Sequence, residues 1–219
     1  MNFHAIMPFY RQRLTEILIK HFESMNLVFH PVCDRIDIQP FKDNKISWIQ
    51  PLLVRPLQIP GDQCYRKNDD FIVMADIIDE DYYGFIHDDD MYVPGFIDKI
   101  KKQTAKIIFY SASRGQAWAT ADIGPYNWPP VPLIINTIED VRIANIDMCQ
   151  VIVKGEILKQ VRYGNSSVCS DGEFAEMLKK TWPNDILILP EFGVNFNYFQ
   201  PGRYLNQEGQ PIFPTVTLK

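Results

Sequence analysis

Residues 82–97 read YYGFIHDDDMYVPGFI, and this stretch sets the architecture of the whole chain. Tyr82 to Ile86 is a short, apolar and aromatic run without polar alternation, the pattern of a strand buried on both faces. It leads straight into His87 and three consecutive aspartates, Asp88, Asp89 and Asp90. Tyr92 and Val93 then lead to Pro94, which suits the first turn of a helix because its missing N–H costs nothing there. Phe96, Ile97 and Ile100 give that helix an apolar face. A strand that ends in acidic residues before a helix puts them at the carboxyl edge of a sheet, where open α/β sheets bind ligands.

The flanking sequence supplies the rest of such a sheet. Phe3 to Pro8 is a short apolar strand, Leu14, Ile17, Leu18, Phe22 and Met25 recur at helical spacing, and Leu27 to Val32 is a second apolar run. Together they predict a β-α-β unit with a right-handed crossover. Between Arg35 and Asp62 four prolines, Pro40, Pro51, Pro56 and Pro60, limit regular structure. The pattern over Asp69 to Asp79 predicts a helix with Phe71, Ile72, Met74, Ala75 and Ile78 inward. Beyond the acidic run, strands are expected at 105–110, 133–136, 148–153 and 186–189, with helices at 154–161 and 171–181. Residues 111–132, rich in Gly, Pro, Trp and Tyr, read as a long loop, and the aromatic tail from Glu191 as a segment packing back on the domain. The expected fold is one α/β domain over 1–219 with a mixed, mainly parallel sheet flanked by helices.

Composition is that of an ordinary globular domain, 46% apolar and 22% charged. The formal net charge of −5 leaves no basic excess for a phosphate backbone, so nucleic acid is not an expected partner. Cys33, Cys64, Cys149 and Cys169 form no C-x-x-C pair, which reads as reduced thiols. Met1 to Arg11 fits no signal peptide, and no apolar run reaches the about 18 residues of a spanning helix. A cytoplasmic protein is expected, held at a membrane, if at all, through a partner.

Three adjacent carboxylates repel one another, and a divalent cation removes that penalty. Oxygen-only ligands point to magnesium, manganese or calcium, with magnesium taking one or two carboxylates plus substrate phosphates. The alternative for Asp88 to Asp90 is a solvated acidic turn. A second candidate is Asp171, followed by Glu173, at the start of the 171–181 helix; Ser170-Asp171-Gly172-Glu173 also fits a capping box. The helix dipole there would keep Asp171 ionised and weaken it as a base. Arg66 and Lys67 are the basic residues considered for a diphosphate, and Trp118, Tyr126 and Trp128 either stack on a sugar ring or bury against their own domain. His4, His21 and His30 read as structural.

The segment YYGFIHDDDMYVPGFI resembles the DxD segment of family 2 type glycosyltransferases with the GT-A fold. FHAIMPFYRQRLTEILIKHFES followed by LVFHPVCD resembles that family's first β-α-β unit, and MCQVIVKGEILKQVRYGNSSVCSDGEFAEMLKK its acceptor-side stretch, so the likeness runs over residues 3 to 189. It implies donor binding by Pro8, Tyr10, Asp34, Asp88 and Asp89, to which Arg66 is added for its charge alone, a manganese or magnesium ion at Asp88, Asp89 and Asp90, and Asp171 as catalytic base with Glu173 beside it. It further implies a nucleotide-sugar donor, a UDP-sugar first, and a glycan or other hydroxyl acceptor, with inversion. Arg11 stands where the family has Asn, Ser170-Asp171 where it has an acidic pair, and His87 at the first DxD position. Two rival readings are a nucleotidyltransferase, against which the absence of a Gly-rich loop after the first strand argues, and a glycan-binding or assembly protein without turnover.

Overall fold

The computed structural model of the chain describes residues 1–9, 15–33, 41, 42, 46, 62–88, 90–114, 132–163 and 170–196. Among them seven strands form one sheet: β1 (Phe3–Phe9), β2 (Val28–Cys33), β3 (Tyr82–Phe85), β4 (Met91–Tyr92), β5 (Ile107–Arg114), β6 (Val151–Lys154) and β7 (Ile186–Phe196). Their order is β2-β1-β3-β6-β5-β7-β4. β1 pairs in parallel with β2 and β3, and β5 with β7, while β6 runs antiparallel to both β3 and β5, and β4 to β7. All strands but β4 and β6 therefore point the same way, the mixed, mainly parallel sheet expected from the sequence.

Both faces of the sheet are buried, and side-chain alternation sorts the strands into two layers. Phe3, Ala5, Met7, Phe9, Tyr82, Ile86, Ile108 and Tyr110 lie on one face, with Leu18, Ile19 and Phe22 of α1 (Thr15–Ser24) packed against them. Ile6, Tyr83, Phe85, Ile107, Phe109, Val151 and Val153 face the other layer, with Phe71 and Ile72 of α2 (Asp62–Met74). Phe96, Ile97 and Ile100 of α3 (Phe96–Ile100) join the first layer. Ile157 and Leu158 of α4 (Gly155–Leu158) and Phe174, Ala175 and Leu178 of α5 (Ser170–Thr181) join the second. His4 and His30 pair inside the fold: His4 Nε2 meets Asp81 Oδ2 at 3.1 Å and His4 Nδ1 meets His30 Nε2 at 2.8 Å.

Several elements differ from the sequence expectation. α2 starts at Asp62 and ends at Met74, so Met74 and Ile78 are 41% and 47% exposed, and Ile77 is buried instead. The helical period does not carry past the residue where the helix stops. Pro94 is not in the first turn of α3. Val93-Pro94-Gly95-Phe96 closes with Phe96 N–H on the Val93 carbonyl at 3.1 Å, and Gly95 has φ 80°, so it is a type II turn with Pro and Gly at its two central positions. Residues 133–136 form no strand; Leu133 makes a single bridge to Ala112. Side chains serve the backbone there, the Gln150 amide donating to the Tyr110 and Leu133 carbonyls at 3.0 Å each. Residues 148–150 form a short 3-10 turn before β6. β7 continues through Phe196, with Pro190 at a bulge between its Leu189 and Phe192 pairings, a place where a missing N–H is tolerated. No helix among the described residues is long and apolar enough to cross a membrane.

Candidate active site

The carboxyl ends of β1, β2 and β3 lie side by side, and the chain leaves β3 directly into the acidic turn. The Ile86 N–H extends the ladder onto the Ile6 carbonyl at 3.0 Å, and the Asp90 N–H closes a turn on the His87 carbonyl at 3.2 Å. Beyond the turn, Met91 and Tyr92 pair with Asn195 and Val194 of β7. The segment is thus anchored on both sides. Asp88 and Asp90 are 1% and 0% exposed, so the solvated-turn alternative does not describe them. Asp90 Oδ2 accepts the His87 N–H at 3.2 Å and lies 3.1 Å from His87 Nδ1. The same Nδ1 is 3.9 Å from Asp147 Oδ1, which places a third carboxylate at the turn.

Asp147 is held by its own local structure. It is the N-cap of the 3-10 turn Met148–Gln150, its Oδ1 accepting the Cys149 N–H at 3.2 Å while Gln150 Oε1 accepts the Asp147 N–H at 2.9 Å. Asp147 and Gln150 stand three apart, the spacing of a capping box, so the signal was present in the sequence.

Asp171 belongs to the same cluster. On α5, residues 171, 174, 175 and 178 share one helical face, and Phe174, Ala175 and Leu178 of that face are core residues. Asp171 is therefore carried inward and is half-buried. Burial first, and then the Asp147 carboxylate, push it up to about 7, against the opposing pull of the Gly172 N–H and His87. The expectation that the helix dipole keeps it a strong acid is corrected: desolvation and a like charge outweigh the amides. Its Oδ1 still accepts the Gly172 N–H at 2.8 Å, so it caps the helix as well. Glu173 faces away, lining an open groove with Ile143, Glu176, Met177, Lys179 and Lys180. We expect Asp147→Asn, which keeps the capping oxygen and removes the charge, to lower the Asp171 midpoint, read by carboxyl-carbon NMR over a pH series; an unmoved midpoint would separate the two carboxyls.

Of the other residues singled out in the sequence, Pro8 is buried within β1, next to its last residue. Arg66 is half-buried on α2, and Lys67 beside it is buried, its Nζ donating to the Phe9 carbonyl at 3.2 Å. Tyr10, Asp34, Asp89, Trp118, Tyr126 and Trp128, like the tail beyond 196, lie outside the described residues. Cys33 and Cys149 are buried.

This arrangement, a mixed sheet with an acidic turn at the carboxyl end of its third strand, defines a GT-A-like fold. S. aureus TarS, residues 1–349, is similar to it with a TM-score of 0.57 at 15% identity, covering 90% of this chain. The chain spans 60% of the length of that TarS structure. Weaker likenesses are found to 4-diphosphocytidyl-2C-methyl-D-erythritol synthase, TM-score 0.46 at 9% identity over 87% of this chain and 90% of that one. The inositol-1-phosphate CTP transferase from T. maritima gives 0.47 at 9% identity over 86% and 85%. No family model matches the chain, and no curated protein matches it by sequence.

Proposed function

We propose that the chain is a metal-dependent glycosyltransferase domain that moves a sugar from a nucleotide-diphosphate sugar, a UDP-sugar first among candidates, to an acceptor hydroxyl with inversion. The observation that carries the proposal is a single cluster at the carboxyl end of β3, in which Asp88 and Asp90 are buried and Asp171, pushed up to about 7 by burial and then by the Asp147 carboxylate, joins them. A carboxyl near neutrality is matched to taking a proton from a hydroxyl and passing it to solvent. The acidic turn offers only oxygen donors, which fits magnesium or manganese. Magnesium typically takes one or two carboxylates, and substrate phosphates would complete the coordination. Asp88, with Asp89 and Asp90, would hold the ion, which when bound supplies positive charge beside the leaving diphosphate.

In this scheme Tyr10 and Asp34 flank the nucleobase at the ends of β1 and β2, with Pro8 setting the approach, and Arg66 lies toward the diphosphate. Asp171 accepts the proton of the acceptor hydroxyl as its oxygen attacks the anomeric carbon and the nucleoside diphosphate leaves from the opposite face. Trp118 and Trp128 supply flat faces for the acceptor sugar. Calorimetry tests the metal step. Manganese is expected to bind at least tenfold more tightly with UDP present than alone, and Asp88→Asn to remove that gain. Equal binding by Asp88→Asn would place the ion elsewhere.

A further inference from the structure

Tyr163 stands between α4 and α5, and its ring is fixed on three sides. It stacks on Phe174 at 4.1 Å and 8°, faces Tyr65 of α2 at 5.6 Å and 21°, and takes the edge of Phe85 at 5.0 Å and 84°. Its N–H donates to Asp69 Oδ1 at 2.7 Å. The residue is 3% exposed, and its hydroxyl is buried with no hydrogen-bond partner among the described residues. Phenylalanine would fill the same space without that cost, because an unpaired buried hydroxyl is unfavourable. The ring lies along Phe174, one turn from Asp171 on the same inward face. Asp171 is also the charge that acts most strongly on this phenol, ahead of Tyr65, Asp69 and Asp147. Among the described residues, the Asp171 carboxylate accepts backbone N–H groups, from Gly172 and from itself. Among the described residues, a buried donor without an acceptor thus packs against the helix face that carries a carboxylate with no side-chain donor.

We propose that Tyr163 is a positioning residue for Asp171, its phenol donating a hydrogen bond to the carboxylate once the proton has left. Two amides suffice for the neutral acid, while the ionised and partly buried group gains from a third donor. The bond would fix the carboxylate's direction during proton transfer. The functional meaning rests on Asp171 as the base, but the bond itself can be read without turnover. Carboxyl-carbon NMR of Asp171, its signal assigned by its absence in Asp171→Asn, is followed with pH in the parent and in Tyr163→Phe. The midpoint is expected to rise by about one unit in the variant, a tenfold gain in proton affinity. Asp147 and His87 near the acidic turn, and Tyr65 and Asp69 of α2, face this region in both proteins, so the difference reports the hydroxyl. At pH 5 the variant should melt no lower than its parent. An unmoved midpoint overturns the proposal. Should Tyr163→Phe fail to fold, ring-carbon NMR of Tyr163 in the parent decides: a step at the Asp171 midpoint that is missing in Asp171→Asn supports the bond, and no step overturns it. In a transfer assay kcat should fall and its pH midpoint rise while donor KM holds; an inactive parent would sink the transferase reading and leave the NMR result standing.

Discussion

Replacing Asp171 with Asn is expected to lower turnover by a factor on the order of 10² to 10⁴ and, above neutral pH, to make the protein more stable than its parent. The first effect follows from losing a group that can take a proton; donor affinity should hardly change. The second follows from linkage. The native Asp171 is raised from an ordinary 3.8 to about 7, so the folded state binds this proton more tightly than the unfolded chain. The stability it lends is complete below about pH 4 and is lost as pH rises to about 7. Asn carries no such loss and still accepts the Gly172 N–H. Discounted for partial exposure, the gain at pH 8 is on the order of 1–3 kcal/mol, with little difference at pH 4. Denaturant melts at the two pH values, beside a donor-turnover assay, check both. A variant that keeps its rate and loses stability at pH 8 would leave Asp171 as a helix cap only. Glu173, which lines the outer groove of α5, would then be the next candidate base.

Gly155→Ala should destabilise the fold more than any surface change, by about 3 kcal/mol. A Cβ at Gly155 would lie 2.0 Å from the Ile78 carbonyl oxygen and 2.7 Å from its carbon. The neighbour that must give way is backbone, and it is held: the Gly155 N–H donates to the Asp81 carbonyl at 3.0 Å and the Glu156 N–H to the Asp79 carbonyl at 3.2 Å. Residues 77–81 feed directly into β3, so the strain reaches the strand that presents the acidic turn. At 2–4 °C per kcal/mol for a chain of this size, the melting temperature should fall by roughly 6–12 °C. A drop under about 2 °C would mean that this segment yields at little cost.

The parts of the molecule legible in the sequence are those whose signal is local and repeated. β1, α1 and β2 announce themselves by a change of apolar period from strand to helix and back, and β3 by its unbroken run into the aspartates. The inward face of α5 is visible in part: the spacing points to Phe174, Met177 and Leu178, whereas the structure buries Ala175 with Phe174 and Leu178 and leaves Met177 half-buried. The missing parts depend on partners distant in sequence. Two residues cannot signal a strand by periodicity, so β4 was invisible until Asn195 and Val194 supplied its ladder. The Pro94-Gly95 pair carried a turn signature that the helix pattern beside it masked. Asp147 stood in a capping spacing, yet nothing local shows that its carboxylate comes beside His87 and Asp171. The Asp171 proton affinity was misjudged for the same reason, because burial and a like charge come from tertiary packing and the helix dipole from the adjacent sequence.

The acidic turn is tied down by the Ile86 N–H on the Ile6 carbonyl and by the Val93 N–H on the Gly193 carbonyl. Its length is consequently part of its specification. A chain with one aspartate more or fewer would have to slide β4 by one position along β7, and in a strand a one-residue slip exchanges the two faces. Tyr92 would leave the edge contact it makes with Phe3 at 5.5 Å, and Met91 would take the core side. Substitution can change the charge of this turn, but insertion or deletion would change what the sheet itself can pair with. Variation here should therefore run through residue identity, with the number of positions between β3 and β4 kept constant.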